Sequence, residues 1–257
     1  MSLRGHAKAA RRAAALGAIA LASTGLAACG GSSPVVAQVA GVGSISEATL
    51  NHWVRIEATL LYASIPSGPT PKGVLPDPPS YSACIALLGS KGAKLVETGP
   101  KPTKAQLKSD CVARLRELKE LALNILIGWE WTIGEGQRLG IKLTSGEIKQ
   151  RFVEVNHRLF PKEEELTHYI ERTGQTVSDL MYRAKVQLFE VKNEARVRAA
   201  AQRLSSLPTA QRQAATLKLD AQLPPGKSWA AKTSCRAGFV VSACKQYRGS
   251  SPPGLPN

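Results

Sequence analysis

Histidine is scarce in this chain: it occurs at positions 6, 52, 157 and 168 and nowhere after His168. The five cysteines include no Cys-x-x-Cys pair. Both absences argue against a zinc site, whose ligands are closely spaced Cys and His. No Walker-type glycine loop is present, so a nucleotide has no recognisable phosphate cradle. Ser82 and Ser234 stand beside cysteines without a His or Asp motif, which leaves a hydrolase triad unsupported. Glu163-Glu164-Glu165 reads as acid in a first helical turn, where the macrodipole favours it, rather than as paired catalytic carboxylates. No catalytic residue, metal ligand or cofactor is therefore assigned. The uncharged run Ala13 to Ala28, about 16 residues, is short of the ~20 needed to span a bilayer.

What the N-terminus does have is an export signal. Arg4, Lys8, Arg11 and Arg12 form a basic start, the uncharged run follows, and small residues close it. Leu26-Ala27-Ala28-Cys29 resembles the cleavage site of a bacterial lipoprotein signal. The resemblance implies removal of residues 1–28, a diacylglycerol on the Cys29 sulfur and a protein held at the extracytoplasmic face of a cell membrane. Two acyl chains, at ~0.8 kcal/mol per buried CH₂, anchor stably. Gly30-Gly31-Ser32-Ser33, within a tether at 29–34, adds flexibility.

The formal net charge is +15, and removing the four basic signal residues leaves +11. Such a balance suggests nucleic acid in a cytosolic protein. Export points instead to anionic envelope polymers, anionic lipid headgroups or acidic clients, and to no nucleic-acid partner. Setting Cys29 aside leaves Cys84, Cys111, Cys235 and Cys244, an even number in an oxidising compartment. Three pairings are possible. Proximity favours Cys84–Cys111 and Cys235–Cys244, whose loop closures contribute roughly 3–4 and 2.5–3 kcal/mol in the chain-entropy account.

Periodicity gives a mostly α chain. Val35 to Val39 reads as a short strand, Gly41-Val42-Gly43 as a turn, and Ser44-Ile45 as a returning strand. Ser44-x-x-Glu47 has the capping-box pattern for a helix running to about Ala63. Eight of the sixteen prolines crowd residues 64–102, predicting an irregular excursion pinned in its middle by Cys84. The longest helix begins at Thr103 or Lys104 and ends near Leu139, with Gly140 as its stop. Its apolar stripe runs through Leu107, Cys111, Leu115, Leu118, Ala122, Ile125, Trp129 and Ile133. Trp129 is expected in the core; Trp131, about 200° further round, points elsewhere. A second capping box at Thr144–Glu147 starts a helix bearing Ile148, Phe152, Val155 and Leu159. Pro161 opens a shorter helix closed by Gly174. Thr176–Asp179 starts another, to about Leu204, with a stripe of Leu180, Ala184, Leu188, Val191 and Ala195. One more helix is expected from Thr209 to about Leu223. Trp229 to Tyr247 reads as a small stapled loop or hairpin, and 248–257 as a disordered tail.

The order of these segments resembles the N-terminal domain of SurA-type and trigger-factor-like extracytoplasmic chaperones, in the lipoprotein foldase branch. The residues carrying it are Val36-Ala37-Gln38-Val39, Ile45-Ser46 and His52-Trp53. To these are added Trp129-x₅-Glu135-x₃-Leu139-Gly140-Ile141, Thr144-x-x-Glu147-Ile148, Phe160-Pro161-Lys162-Glu163 and Thr173-Gly174-Gln175-Thr176-x-x-Asp179-Leu180. The match covers roughly 35–203. It implies a multi-helix chaperone core with a short N-terminal β element and, at 204–247, a returning helix and stapled segment. It also implies binding of unfolded or nascent exported polypeptides without ATP. Many members carry a parvulin-type prolyl isomerase domain after the long helix. Here only 204–257 follow, without histidine, so no isomerase site of this chain's own is expected. Trp131, Phe152 and Phe160 are the candidate client-groove residues.

Overall fold

The computed structural model describes residues 33–63, 70–95, 101–209, 211 and 229–245. The signal, Cys29, the expected helix to Leu223 apart from Thr209 and Gln211, and the tail lie outside these residues.

The fold is mostly helical with one small sheet. β1 (Val35–Val39) turns through Gly41, which takes φ +78°, into β2 (Gly43–Ser46). The register pairs Val39 with Gly43 and Ala37 with Ile45. α1 (Glu47–Ala63) follows directly. Its cap is Ser46, whose Oγ accepts the Thr49 N–H at 3.1 Å. Ser44, expected to cap, belongs instead to β2, opposite Gln38. The strand runs two residues further than the capping pattern implied.

The proline-rich stretch is not irregular throughout. It contains α2 (Ser82–Leu95). Its prolines precede and follow this helix, while Gly89 and Ser90 dilute the helical pattern inside it. Asp77 supplies what the sequence pattern hid: its carboxylate accepts the N–H groups of Ala83 and Cys84, both at 3.3 Å, and the Ser82 hydroxyl. These are donors that a helix start leaves unpaired. Gly73, at φ +91°, lies against this turn, where a Cβ would meet the Ala83 carbonyl at 2.2 Å.

α3 (Lys104–Arg138) has the expected bounds, with a Thr103–Gln106 capping box. Gly140 adopts φ +71° and the Ile141 N–H reaches back to the Gly136 carbonyl. The disulfide Cys84–Cys111 joins α2 to α3. The expected stripe is buried at Cys111, Leu118, Ala122 and Ile133, but Leu123, Leu126 and Ile127 are buried too. A single stripe underestimates α3 because α1, α2, α6 and the sheet all pack on it.

α4 (Ser145–Leu159) and α6 (Val177–Ser205) begin at the capping boxes of Thr144 and Thr176. Between them lies α5 (Glu163–Thr173), ended by Gly174 in the left-handed region. On α6 the buried residues are Leu180, Ala184, Val186 and Phe189. Val191, expected in the stripe, is 52% exposed. Two faces of α6 are used along the same turns, one toward α4 and one toward α3.

The C-terminal segment is part of the main core. β3 (Thr233–Cys235) adds antiparallel to β1, giving the order β2-β1-β3. α7 (Ser242–Lys245) follows, and Cys235–Cys244 closes the loop between them. Trp229, Val241 and Cys244 share the core of Val36, Val39, Leu50, Trp53 and Ile127. Both disulfides therefore join the cysteines that proximity favoured.

Candidate functional site

α4 is amphipathic, yet its apolar face is only partly covered. Phe152, Val155 and Leu159 line an open cavity of about 460 Å³, with Phe160, Tyr169, Leu180 and Ala184 completing its apolar wall. Leu159 is 62% exposed. The rings of Phe160 and Tyr169 lie 4.8 Å apart. A groove of this character gains free energy by covering apolar side chains, at about 25 cal/mol per Å².

Polar groups hold the wall in place. Asn156, buried, donates from Nδ2 to the Phe152 carbonyl at 2.7 Å. Gln175, also buried, donates to the Tyr169 hydroxyl at 2.9 Å and to Thr173 Oγ1 at 3.1 Å. Arg183, which lines the cavity, donates to Gln175 Oε1 at 3.1 Å. Gln187 Oε1 is buried at the same wall and has no hydrogen-bond partner.

Arg183 links the groove to an aromatic cluster. Its guanidinium lies 5.8 Å from the Trp53 ring and 5.9 Å from the Trp129 ring. Trp53 meets Trp129 edge-on at 4.7 Å, and Trp129 meets Tyr182 at 5.7 Å. The Tyr182 hydroxyl donates to Glu130 at 2.7 Å. Burial, and then the Glu130 charge, raise the Tyr182 phenol well above its ordinary range. Burial likewise raises Glu57, and Arg183 opposes it. Nearby, His52 Nε2 lies 2.9 Å from Asp179 Oδ2, tying α1 to the first turn of α6. These groups pair with one another and hold α1, α3 and α6 together.

The three groove candidates separate. Phe152 and Phe160 line one cavity. Trp131 faces the sheet side: its Nε1–H donates to Thr233 Oγ1 at 2.7 Å, and its ring packs on the main core. Its partner strand lies far away in sequence, so helical spacing could not reveal that role. Phe189 is core, packed against Gly136. Sequence reasoning missed Tyr169, Arg183 and Gln187 as groove residues; the α4 stripe of Phe152, Val155 and Leu159 was the available signal.

Among the described residues, no group of three or more His, Cys, Asp or Glu side chains could hold a metal ion. No described helix is long and apolar enough to cross a membrane. Comparison with protein-family models, curated proteins and solved structures found no match.

Proposed function

We propose that this protein is an ATP-independent holdase, anchored through lipidated Cys29 at the extracytoplasmic membrane face, that binds unfolded exported polypeptides. The observation that carries the reading is the open apolar groove between α4, α5 and α6. Its buried, unpartnered Gln187 carbonyl oxygen suits a polypeptide, whose backbone N–H can donate where its side chains fill the apolar wall. The resemblance of 35–203 to SurA-type and trigger-factor-like chaperones supports the same reading. The protein would then hold clients without isomerising their prolines.

The test dilutes a chemically unfolded client into buffer and follows light scattering, with and without residues 30–257. Stoichiometric suppression of aggregation is expected. Leu159→Asp, at the exposed rim of the groove, should weaken suppression by roughly tenfold, the value of about one buried leucine. A folded protein without suppression would overturn the reading in favour of an adaptor for one dedicated partner, which the basic charge balance would favour. Clear turnover of a proline peptide would overturn the absence of an isomerase site.

A further inference from the structure

The open end of the sheet gathers features that the groove does not use. Ser33 Oγ accepts the Ala48 N–H at 2.8 Å, and the Pro34 carbonyl accepts the Glu47 N–H at 2.8 Å. The described chain thus begins beside the start of α1. Four peptide steps separate Ser33 from Cys29, a reach of at most about 14 Å. At this same end the Arg236 N–H bonds the Val36 carbonyl, and the Arg236 guanidinium lies 3.8 Å from Glu47. The loop that Cys235–Cys244 closes therefore lies at the same end of the fold as Ser33, where the described chain begins.

That loop and the N-terminal half of α3 share an apolar cavity of about 240 Å³. Val112 and Val240, both in its lining, are 45% and 44% exposed. Helical spacing puts Lys108, Val112, Arg116 and Lys119 on one stripe of α3, with Asp110 and Glu117 on the far side. Glu120 lines the cavity's flank as the one acid of this face of α3. No ion pair among the described residues engages Lys108, Arg116 or Lys119.

We propose that this basic, valine-studded face, formed by the α3 stripe and the Arg236–Val241 loop, rests on an anionic phospholipid surface. The cations meet headgroup phosphates, each such residue strengthening association about fivefold near an anionic surface. Val112 and Val240 enter the interface between them. The inference rests on lipidation of Cys29, since the short tether is what limits which face can meet the membrane. Docking would fix the orientation of the molecule rather than leave it swinging.

The experiment uses the lipidated protein purified from membranes and returned to vesicles. One set is phosphatidylcholine alone; the other includes phosphatidylglycerol. Lysines are acetylated and the rates read by mass spectrometry at Lys108 and Lys119, with exposed Lys162, just before α5, as reference. Several-fold slowing at Lys108 and Lys119 in the phosphatidylglycerol vesicles alone is expected, and Arg116→Glu should reduce it. Equal rates at all three lysines, with the diacylglycerol found on Cys29, would overturn the docking surface and leave the anchor standing. A Cys29 without lipid would remove the anchor and the inference together. Protection by a soluble polyanion such as heparin, with none from vesicles, would also overturn it, in favour of an envelope-polymer site.

Discussion

Two glycines of α3 look alike in sequence and differ in what surrounds them. At Gly128 a Cβ would meet nothing within 4 Å; at Gly136 it would lie 2.1 Å from Phe189 Cδ1. Gly128→Ala should therefore stabilise by about 1 kcal/mol through helix propensity. Gly136→Ala should destabilise by about 1–3 kcal/mol, because Phe189 must move out of the α3–α6 contact. Urea denaturation of the two variants checks both signs. Glu147 offers a second test at this scale. Lys192 Nζ lies 2.6 Å from Oε1, and Thr144 donates its N–H and hydroxyl to Oε2 at 2.7 and 3.0 Å. These contacts, Lys192 first, hold the carboxyl down to about 2, against an ordinary 4.5. A depressed carboxyl stabilises the fold while it is ionised and the unfolded chain's is too. That contribution is fully present above pH 4.5 and is lost as pH falls toward about 2. In Glu147→Gln this part of the acid limb should flatten, as thermal melts across the same range would show. Glu135 follows the same sign: its contacts with Arg138, and the Trp229 N–H at 3.1 Å, hold it below its usual range.

At the scale of elements, the helices easiest to read were those with side-chain caps inside the pattern itself. Thr103, Thr144 and Thr176 each face a Gln, Glu or Asp three residues on, and the observed starts agree. α2 was illegible because its cap comes from Asp77, five residues before the helix, across a proline pair. Asp77→Ala should loosen the start of α2, because the donors it accepts lose their partner. Hydrogen exchange at Ala83 and Cys84 should rise accordingly, and more steeply once Cys84–Cys111 is reduced. The stripe of α6 was read only in part for another reason. Leu180 and Ala184 meet the α4 side, whereas Val186 and Phe189 meet α3. A helix packed between two partners on different faces has no single apolar stripe. The same limit hid half of the groove: Phe152 announced itself by spacing, while Arg183 and Gln187 look like ordinary surface polar residues until α4 is placed beside them.

At the scale of the whole molecule, the hairpin and the C-terminal loop occupy different parts of α3. The hairpin of the sheet meets its C-terminal half, where a Cβ on Gly134 would strike Val42 and Trp229. The Cys235–Cys244 loop meets the helix earlier, through Asn124, which accepts from the Ser242 hydroxyl and the Ala243 N–H. Mostly helical architecture, both cysteine pairs and the N-terminal hairpin were legible in local sequence. The joining of β3 to β1 was not, because no local pattern records a pairing between opposite ends of a chain. Removing the second disulfide probes that joint: Cys235→Ala with Cys244→Ala should lower stability by about 2–3 kcal/mol in chemical denaturation. Retained burial of Trp229 fluorescence would show that the strand still docks.

The pairing of β1 with β3 also sets a timetable. A chain made from its N-terminus presents β1 and β2 nearly two hundred residues before β3. Until then one edge of β1 carries open backbone donors and acceptors, a template for any extended strand. In the growing chain that edge of β1 stays open until β3 has been made and pairs with it.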